Sequence, residues 1–301
     1  MGAIRQLLNC ATRAQHCCEA ASYGTENSRV NRGLTQHRQT APIDRRPGAY
    51  ENVASLFFLE GGDIFFLYRP RVEEEHPSSL ADIQRFFIVL RPEGGKKLRL
   101  LAVGRKRLPD VGEHERFWGF VDTVTDSAER LAAELRRAAY MTKTRGKRHR
   151  PAARPAGEGA YAITLEDAQM HLYYALQLPE KIGEVQKAFN IAPEASFALS
   201  IKNPEASSPA GVGLPETEKA QYPDKLQEEF RDRRFAREDV RLLDVDNAEF
   251  ILIGVRTDPE RAYALDLESA NTAHPRAKAI AELHLPRTGT PIKPLFEGVW
   301  E

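Results

Sequence analysis

The chain has 301 residues, of which 42% are hydrophobic and 29% charged, and its 43 basic side chains balance 43 acidic ones. This composition is typical of a globular protein that buries a core, and the balanced charge argues against a molecule that binds polyanions over its whole surface. The longest apolar runs, such as Phe86 to Leu90 and Phe250 to Val255, are far shorter than the roughly 20 residues of a membrane-spanning helix. We therefore expect a cytoplasmic protein with no membrane association.

The first 49 residues differ in composition and hydrophobic pattern from the remainder of the chain. They are poor in acidic residues and show no sustained hydrophobic period, which predicts that 1–49 form a disordered or cleavable N-terminal extension. Organelle targeting by this extension is the alternative. All the cysteines lie within it, namely Cys10, Cys17 and Cys18, and their spacing predicts neither a disulfide framework nor a zinc site.

From Ala54 onward, short aromatic and β-branched runs alternate with turn residues, which is the pattern of β-strands. Leu56 to Leu59 and Ile64 to Tyr68 flank Gly61-Gly62-Asp63, and this arrangement predicts a hairpin. Further strands are predicted at Phe86 to Leu90, Leu98 to Val103, Arg116 to Val121, Ala160 to Leu165, Gln169 to Leu178, Phe197 to Ile201 and Phe250 to Val255. Phe117, Trp118 and Phe120 are expected to pack in the core and on the sheet.

Helices are predicted between some of these strands. Apolar residues recur at helical spacing from Ala128 to Ala139, with Asp126 as N-cap and Glu129 completing a capping box. Shorter helices are expected at Gly183 to Asn190 and from Pro223. The prediction is an α+β fold, in which a mainly antiparallel twisted sheet, or partly closed barrel, of about eight to nine strands carries roughly three to five helices.

The predicted fold gives the chain three parts. Residues 50–256 are expected to form a single α+β domain. Residues 257–301 are expected to form a C-terminal extension that packs on this domain, with helical starts at Pro259 and Pro275 and with Phe296 and Trp300 as anchors.

The strongest functional signal is the segment 140–155, which holds six basic side chains and no acidic one. Arginine presents a planar fork that matches phosphate oxygens, and glycine lets backbone N–H groups approach an anion. We therefore predict a loop that binds a phosphate-bearing ligand. Its candidate ligand-binding residues are Lys143, Arg145, Lys147, Arg148, Arg150, Arg154, Gly157 and Gly159. The alternative is a solvated loop whose arginines pair with the acid-rich stretch 156–256.

The hairpin that follows this segment supplies two candidates for acid or base chemistry. We predict a Glu166-Asp167 turn with Leu165 facing Ala168 and Ile163 opposite Met170. The other face then carries small residues beside His171 and Tyr173, which leaves room for solvent or a ligand. His171 and Tyr173 are the weak candidates for catalysis. If the basic loop folds toward this face, Arg150 and Arg154 approach Gly159 and these two rings.

Other patterns limit the chemistry. The sequence contains no G-x-S-x-G elbow, Walker loop, H-E-x-x-H motif or dinucleotide fingerprint, so no cofactor is predicted and a binding role is favoured over an enzyme. The acidic cluster Asp244, Asp246, Asn247 and Glu249 lacks calcium-loop spacing, so no metal is predicted. Arg105-Lys106-Arg107 forms a second basic patch whose distance from the first the sequence does not reveal.

Three functions remain open at this point. The favoured one is a binding module for a phosphate-bearing ligand, with nucleic acid among the ligands that fit. The second is an enzyme that acts on an anionic or phosphorylated small substrate. The third is an adaptor that contacts a protein partner through a sheet edge, the Pro-rich loop Asn203 to Pro215, or Trp300.

Overall fold

The computed structural model describes residues 56–95, 97–209, 212–255, 278–286 and 290–301. The strands within these ranges are β1 (Leu56–Pro70), β2 (Ile83–Pro92), β3 (Leu98–Val103), β4 (Arg116–Thr125), β5 (Ala138–Thr142), β6 (Gly146–Arg150), β7 (Arg154–Glu166), β8 (Gln169–Leu178), β9 (Glu194–Lys202), β10 (Phe235–Ala236) and β11 (Glu249–Val255). The α-helices within the same ranges are α1 (Ala128–Leu135), α2 (Glu184–Phe189), α3 (Asp224–Gln227), α4 (Lys278–Glu282) and α5 (Lys293–Phe296).

Eight strands form a closed antiparallel barrel in the order β9, β11, β4, β3, β2, β1, β7 and β8, and pairing of β8 with β9 closes the ring. The additional strand β10 pairs with the end of β9, while β5 and β6 form a separate two-stranded sheet. The prediction of a mainly antiparallel sheet is confirmed. The fold is nevertheless mostly β, because closure pairs every barrel strand on both sides and the helices are short pieces at the ends and outside.

The predicted hairpin at Gly61-Gly62-Asp63 is wrong, because β1 runs through these residues without a turn. Gly62 pairs with Pro92 of β2 on one side and with Tyr161 of β7 on the other. A Cβ atom placed on Gly62 would lie 2.1 Å from the carbonyl oxygen of Arg91. This glycine therefore permits close approach of a neighbouring strand, a role in which glycine occurs within sheets without forming a turn.

Helix α1 is shorter than predicted. Its N-cap is Ser127 rather than Asp126, since the Ser127 hydroxyl accepts a hydrogen bond from the backbone N–H of Arg130. The helix ends at Leu135, whose carbonyl accepts from the N–H of Ala153 at 2.8 Å, and the chain is already in β5 at Ala138. The apolar spacing continues to Ala139, but the helix does not, because the segment before β7 supplies the donor for the carbonyl at the end of the helix.

The strands β7 and β8 are where the sequence predicts them, but the turn is displaced by one residue. Asp167 and Ala168 form it, both with positive φ (49° and 60°), as in a type I′ hairpin. Leu165 consequently pairs with Met170, and Ile163 with Leu172, instead of the predicted partners two residues earlier. Because side chains alternate along a strand, this even shift leaves each side chain on its predicted face.

The barrel interior is filled with side chains contributed by all eight strands. At one end, Phe189 of α2 stacks on Tyr68 and Phe86 with ring centroids 5.1 and 4.9 Å apart, and Trp300 covers Tyr68 and Phe189. We call this the Trp300 end. Arg99 lies inside the opposite end, which we call the Arg99 end.

Arg99 is held in a hydrogen-bonded network. Both terminal nitrogens of its guanidinium contact the Glu60 carboxylate, at 2.5 and 2.8 Å, and its Nε donates to Asp244 at 2.8 Å. The hydroxyl of Tyr161 also donates to Glu60, at 2.7 Å. Burial lowers the pKa of Arg99, but the hydrogen bonds and charge of Glu60 outweigh burial and hold this pKa above its usual value.

A second apolar layer covers the outside of β1, β2 and β3. Leu131 and Leu135 of α1, Ala279 of α4 and Leu295 of α5 are buried there. Residues 278–286 and 290–301 thus pack on the barrel, whereas 1–49 and the helical starts at Pro259 and Pro275 lie outside the described residues. No helix in the described ranges is long and apolar enough to cross a membrane.

Replacing Trp300 by alanine is expected to lower the free energy of unfolding by about 2 to 3 kcal/mol, because the indole is lost from the aromatic cluster that closes the barrel. Urea denaturation followed by far-UV circular dichroism measures this loss. The matched control is Phe296→Ala, which removes a side chain that is 44% exposed and is expected to change stability by less than about 1 kcal/mol. Equal losses in the two variants would contradict this role of Trp300.

Candidate functional site

The basic segment is not an irregular loop. Its residues from Ala138 to Arg150 form a two-stranded β-ribbon, which we call the basic hairpin, with Ala138 paired to Arg150 and Thr142 to Gly146. The hydroxyl of Thr142 closes the tip by accepting from the N–H of Arg145 and donating to the Gly146 carbonyl, both at 3.0 Å. Gly146 has a positive φ of 66°, which glycine adopts without strain.

The tip of the hairpin is exposed. Lys143, Arg145 and Lys147 all lie on the surface, and no ion pair to them occurs within the described ranges. Tyr140 and Met141 are also exposed, by 43% and 74%. Side chains alternate along each strand, so Tyr140 shares one face with Arg148 and Arg150, and Met141 shares the other with Lys147.

Arg148 lies closer to the barrel and is neutralised there. Its Nε is 3.4 Å from a carboxylate oxygen of Glu73, in the turn after β1. The backbone N–H of His149 donates to the same carboxylate at 2.6 Å, and this bond lowers the pKa of Glu73. Glu73 therefore anchors the hairpin and offsets part of its charge.

Arg150, the last residue of β6, reaches a group of charged residues on the outer surface of the barrel. Arg69 near the end of β1 and Arg85 in β2 are cross-strand partners on this surface. The charge of Arg150 acts on Arg69 and on Asp122 of β4, and the opposite charge of Glu134 in α1 acts on the same two residues. We call Arg69, Arg85, Arg150 and Asp122 the Arg69 cluster.

Aromatic rings support two of these guanidinium groups. The Arg69 guanidinium carbon lies 5.3 Å from the ring centre of Phe87, and that of Arg85 lies 5.3 Å from the ring centre of Phe120. At this distance a cation is attracted to the face of the ring. The rings hold the two guanidinium planes on the barrel without neutralising their charge.

The electrostatics of the cluster are unfavourable in the protein alone. Burial, together with the charge of Arg150, lowers the pKa of Arg69 to about 10. Burial also raises the pKa of Asp122, against the opposing effect of Arg85. The three guanidinium groups of this cluster still outnumber the carboxylates of Asp122 and Glu134, and an added anion would relieve the repulsion between them.

Arg154 does not belong to this surface. Its side chain is buried at the Trp300 end, beside Tyr68, and its Nη2 donates to the carbonyl of Glu75 at 2.7 Å. Arg154 thus ties the turn after β1 to the barrel. Its predicted place in an exposed ligand-binding loop is wrong, because the strand β7 begins at this residue.

Gly157 and Gly159 lie within β7 between two paired strands. A Cβ atom on Gly159 would lie 2.0 Å from the carbonyl oxygen of Ala175, and one on Gly157 would lie 3.0 Å from a methyl group of Leu176. The space beside both glycines is therefore occupied by β8. The prediction that they let an anion approach the backbone is not supported by this geometry, and we leave them out of the candidate site.

The structure separates His171 and Tyr173 from the basic hairpin. His171 pairs with Thr164, ten residues along β7 from Arg154, which corresponds to about 33 Å of strand. Tyr173 is buried, and its hydroxyl lies 3.5 Å from the carboxylate of Glu166. Burial lowers the pKa of His171. The predicted convergence of arginines, glycines and these two rings therefore does not occur.

The second basic patch lies at the Trp300 end, where β3 terminates beside the start of β2. Lys106 donates to the carbonyl of Ile83 at 2.6 Å, and Arg107 forms two hydrogen bonds with Glu115, at 2.7 and 2.8 Å. Only Arg105 of this patch points to solvent. The carboxylate of Glu115 thus offsets one of the three charges of this patch, and one other, that of Arg105, is exposed.

The acidic cluster near β11 serves the fold. Asp244 pairs with Arg99, Asp246 accepts from the N–H of Val124, and Glu249 accepts from the N–H of Leu214. No grouping of metal-binding side chains occurs within the described residues.

Sequence reasoning missed Arg69 and Arg85. Each lies at the end of a run of apolar residues in its strand, and nothing in the local pattern distinguishes it from an exposed strand end. Only the pairing of β1 with β2 shows that the two residues are neighbours on one face. Comparison of the chain with known protein families, with curated proteins and with solved structures found no match.

Proposed function

We propose that this protein is a binding module that holds the phosphate backbone of a nucleic acid against the basic hairpin. The observation that carries the proposal is the exposed, unpaired charge of Lys143, Arg145 and Lys147 on a ribbon with no acidic residue. Such charges release counterions when they meet phosphates, which drives association with nucleic acids.

The dimensions of the hairpin suit this ligand. Each of its strands has five residues, which corresponds to about 17 Å of length. A two-stranded β-ribbon fits the major groove of duplex DNA, and a ribbon with exposed side chains also lies along a single strand.

The exposed side chains between the charges support contact with bases. Tyr140 and Met141 present apolar surface to solvent at the middle of β5. Aromatic rings stack on unpaired bases with little dependence on sequence. We therefore expect single strands to bind more tightly than duplexes of equal length.

The test is fluorescence anisotropy with a labelled 20-nucleotide single strand and the matching duplex, over a series of salt concentrations. The affinity is expected to fall steeply with salt. Replacing Lys143, Arg145 and Lys147 together by alanine is expected to weaken binding by on the order of tenfold and to reduce the salt slope by about 2 to 3, because each lost phosphate contact contributes roughly 0.7 to 0.9 to that slope.

The matched control removes the same number of exposed charges elsewhere, by replacing Lys187, Lys225 and Arg237 with alanine. This triple variant is expected to bind like the unaltered protein. Binding that is absent or independent of salt in the unaltered protein would overturn the proposed function. An equal loss in the two triple variants would show that net charge, rather than the hairpin, holds the strand.

A further inference from the structure

The Arg69 cluster holds a buried guanidinium that forms no ion pair with any described residue. Arg69 is only 5% exposed, and its Nη2 donates to the backbone carbonyl of Glu134, an uncharged group. Its Nε is buried and has no hydrogen-bond partner among the residues that the structure describes. Buried arginines ordinarily pair with carboxylates, yet within the described residues no carboxylate oxygen lies within 4 Å of Arg69, Arg85 or Arg150.

From this arrangement we infer that the Arg69 cluster binds a terminal phosphate group, a phosphomonoester, at the end of a nucleic acid strand. The Nε of Arg69 and the more exposed guanidinium groups of its cross-strand partner Arg85 and of Arg150 provide the donors. Guanidinium forks bind phosphate oxygens through paired, charge-assisted hydrogen bonds.

The charge of the cluster selects the kind of phosphate. Three guanidinium groups face two carboxylates, that of Asp122 and the exposed one of Glu134, so positive charge is in excess by one. A phosphomonoester carries about 1.5 to 2 negative charges at pH 7, whereas a backbone phosphodiester carries one. The doubly charged group offsets more of the mutual repulsion of the arginines, so the cluster favours a strand end over a position within a strand.

Continuity with the basic hairpin indicates which molecule brings this phosphate. Arg150 is both the last residue of the hairpin and a member of the cluster, on the hairpin face that also carries Tyr140 and Arg148. A strand that runs from Lys143 and Arg145 at the tip along this face, rather than along the face of Lys147, therefore ends at the cluster. The identification of a nucleic acid as the carrier of the phosphate rests on the proposed function. The phosphate site itself does not depend on it.

The experiment compares three versions of one 20-nucleotide strand, with hydroxyl groups at both ends, with a 5′-phosphate and with a 3′-phosphate. At least one phosphorylated version is expected to bind about tenfold more tightly than the hydroxyl version, a difference of about 1.4 kcal/mol. In Arg85→Ala this preference is expected to disappear, and because Arg85 is exposed the variant is expected to fold.

Two further variants separate geometry from charge. Arg69→Lys keeps the charge but loses the fork, and is expected to reduce the preference for the phosphorylated end severalfold. Asp122→Asn removes the more buried of the two competing carboxylates and is expected to tighten binding of the phosphorylated strand about threefold. The matched control is Arg116→Ala, which removes an exposed arginine from the outer face of β4, the strand that also carries Asp122. This variant is expected to keep the full preference for the phosphorylated strand.

Inorganic phosphate, followed by isothermal titration calorimetry, distinguishes failure of this inference from failure of the proposed function. If the hydroxyl strand binds but neither end phosphate improves binding, the terminal-phosphate site is wrong and the proposed function stands. If no strand binds, yet inorganic phosphate binds the unaltered protein and not Arg85→Ala, the phosphate site is supported and its nucleic acid source is wrong. Unchanged preference in Arg85→Ala would overturn the site.

Discussion

Replacing Arg99 by methionine is expected to lower the free energy of unfolding by about 3 to 5 kcal/mol, because it leaves the carboxylate of Glu60 inside the barrel without its counter-charge. Arg99 is only 3% exposed, so water cannot replace the two lost hydrogen bonds without opening the Arg99 end. Asp244 loses a partner as well, although Lys97 remains 3.5 Å from it. Urea denaturation at neutral pH measures this difference.

Two controls test whether burial causes the loss at Arg99. Arg91→Met removes an arginine that also bridges two carboxylates, those of Asp63 and Glu282, but at a partly exposed position, and is expected to cost less than about 1 kcal/mol. The double variant Arg99→Met with Glu60→Gln removes both buried charges and is expected to recover much of the loss. A double variant less stable than Arg99→Met alone would contradict this account.

The second large effect is expected at Gly159, where alanine is predicted to lower the free energy of unfolding by about 3 kcal/mol. The added methyl group would lie 2.0 Å from the backbone oxygen of Ala175, and backbone in a paired strand moves only if β7 separates from β8. These strands pair next to the closure of the barrel, so their separation weakens the ring. Thermal and urea denaturation both measure the loss.

Gly112 provides the matched control for Gly159. Its φ is not positive, and an added Cβ atom would meet only a side-chain oxygen of Asp110, at 3.2 Å. Gly112→Ala is therefore expected to change stability by less than about 1 kcal/mol, with the lower entropy of the unfolded chain partly compensating. If Gly159→Ala were equally mild, the space beside Gly159 would be open, and its predicted contact with a ligand would become plausible again.

Most strands of the barrel were predictable from sequence. The runs at Phe86, Leu98, Phe197 and Phe250 carry a strong local signal, because β-branched and aromatic residues between turn residues favour strands whatever their partners. The hairpin at Gly62 was predicted wrongly because the role of a glycine depends on its neighbours in space. A glycine needed for close approach and a glycine needed for a turn look alike until the neighbouring strand is known.

The candidate site was predictable only in part. Lys143, Arg145 and Lys147 were predicted to bind a ligand because their segment has no acidic residue, and the structure shows them exposed, while the ligand stays a prediction. The sequence predicted a loop for this segment, because the residues of β5 and β6 do not alternate between apolar and polar. The pairing of these two strands is therefore visible only in the structure. The burial of Arg154 depends on where β7 begins, which the local sequence does not reveal.

Local sequence patterns were sufficient to predict the many strands, the position of the basic segment and the mainly antiparallel pairing, because these follow from short-range spacing and turn chemistry. The tertiary structure alone decided that the sheet closes, that Arg99 is enclosed with Glu60, and that Arg69 and Arg85 meet Arg150. It also separated His171 from every arginine of the hairpin. These outcomes depend on contacts between residues far apart in the chain, and strand register and barrel closure, rather than local propensity, set those contacts.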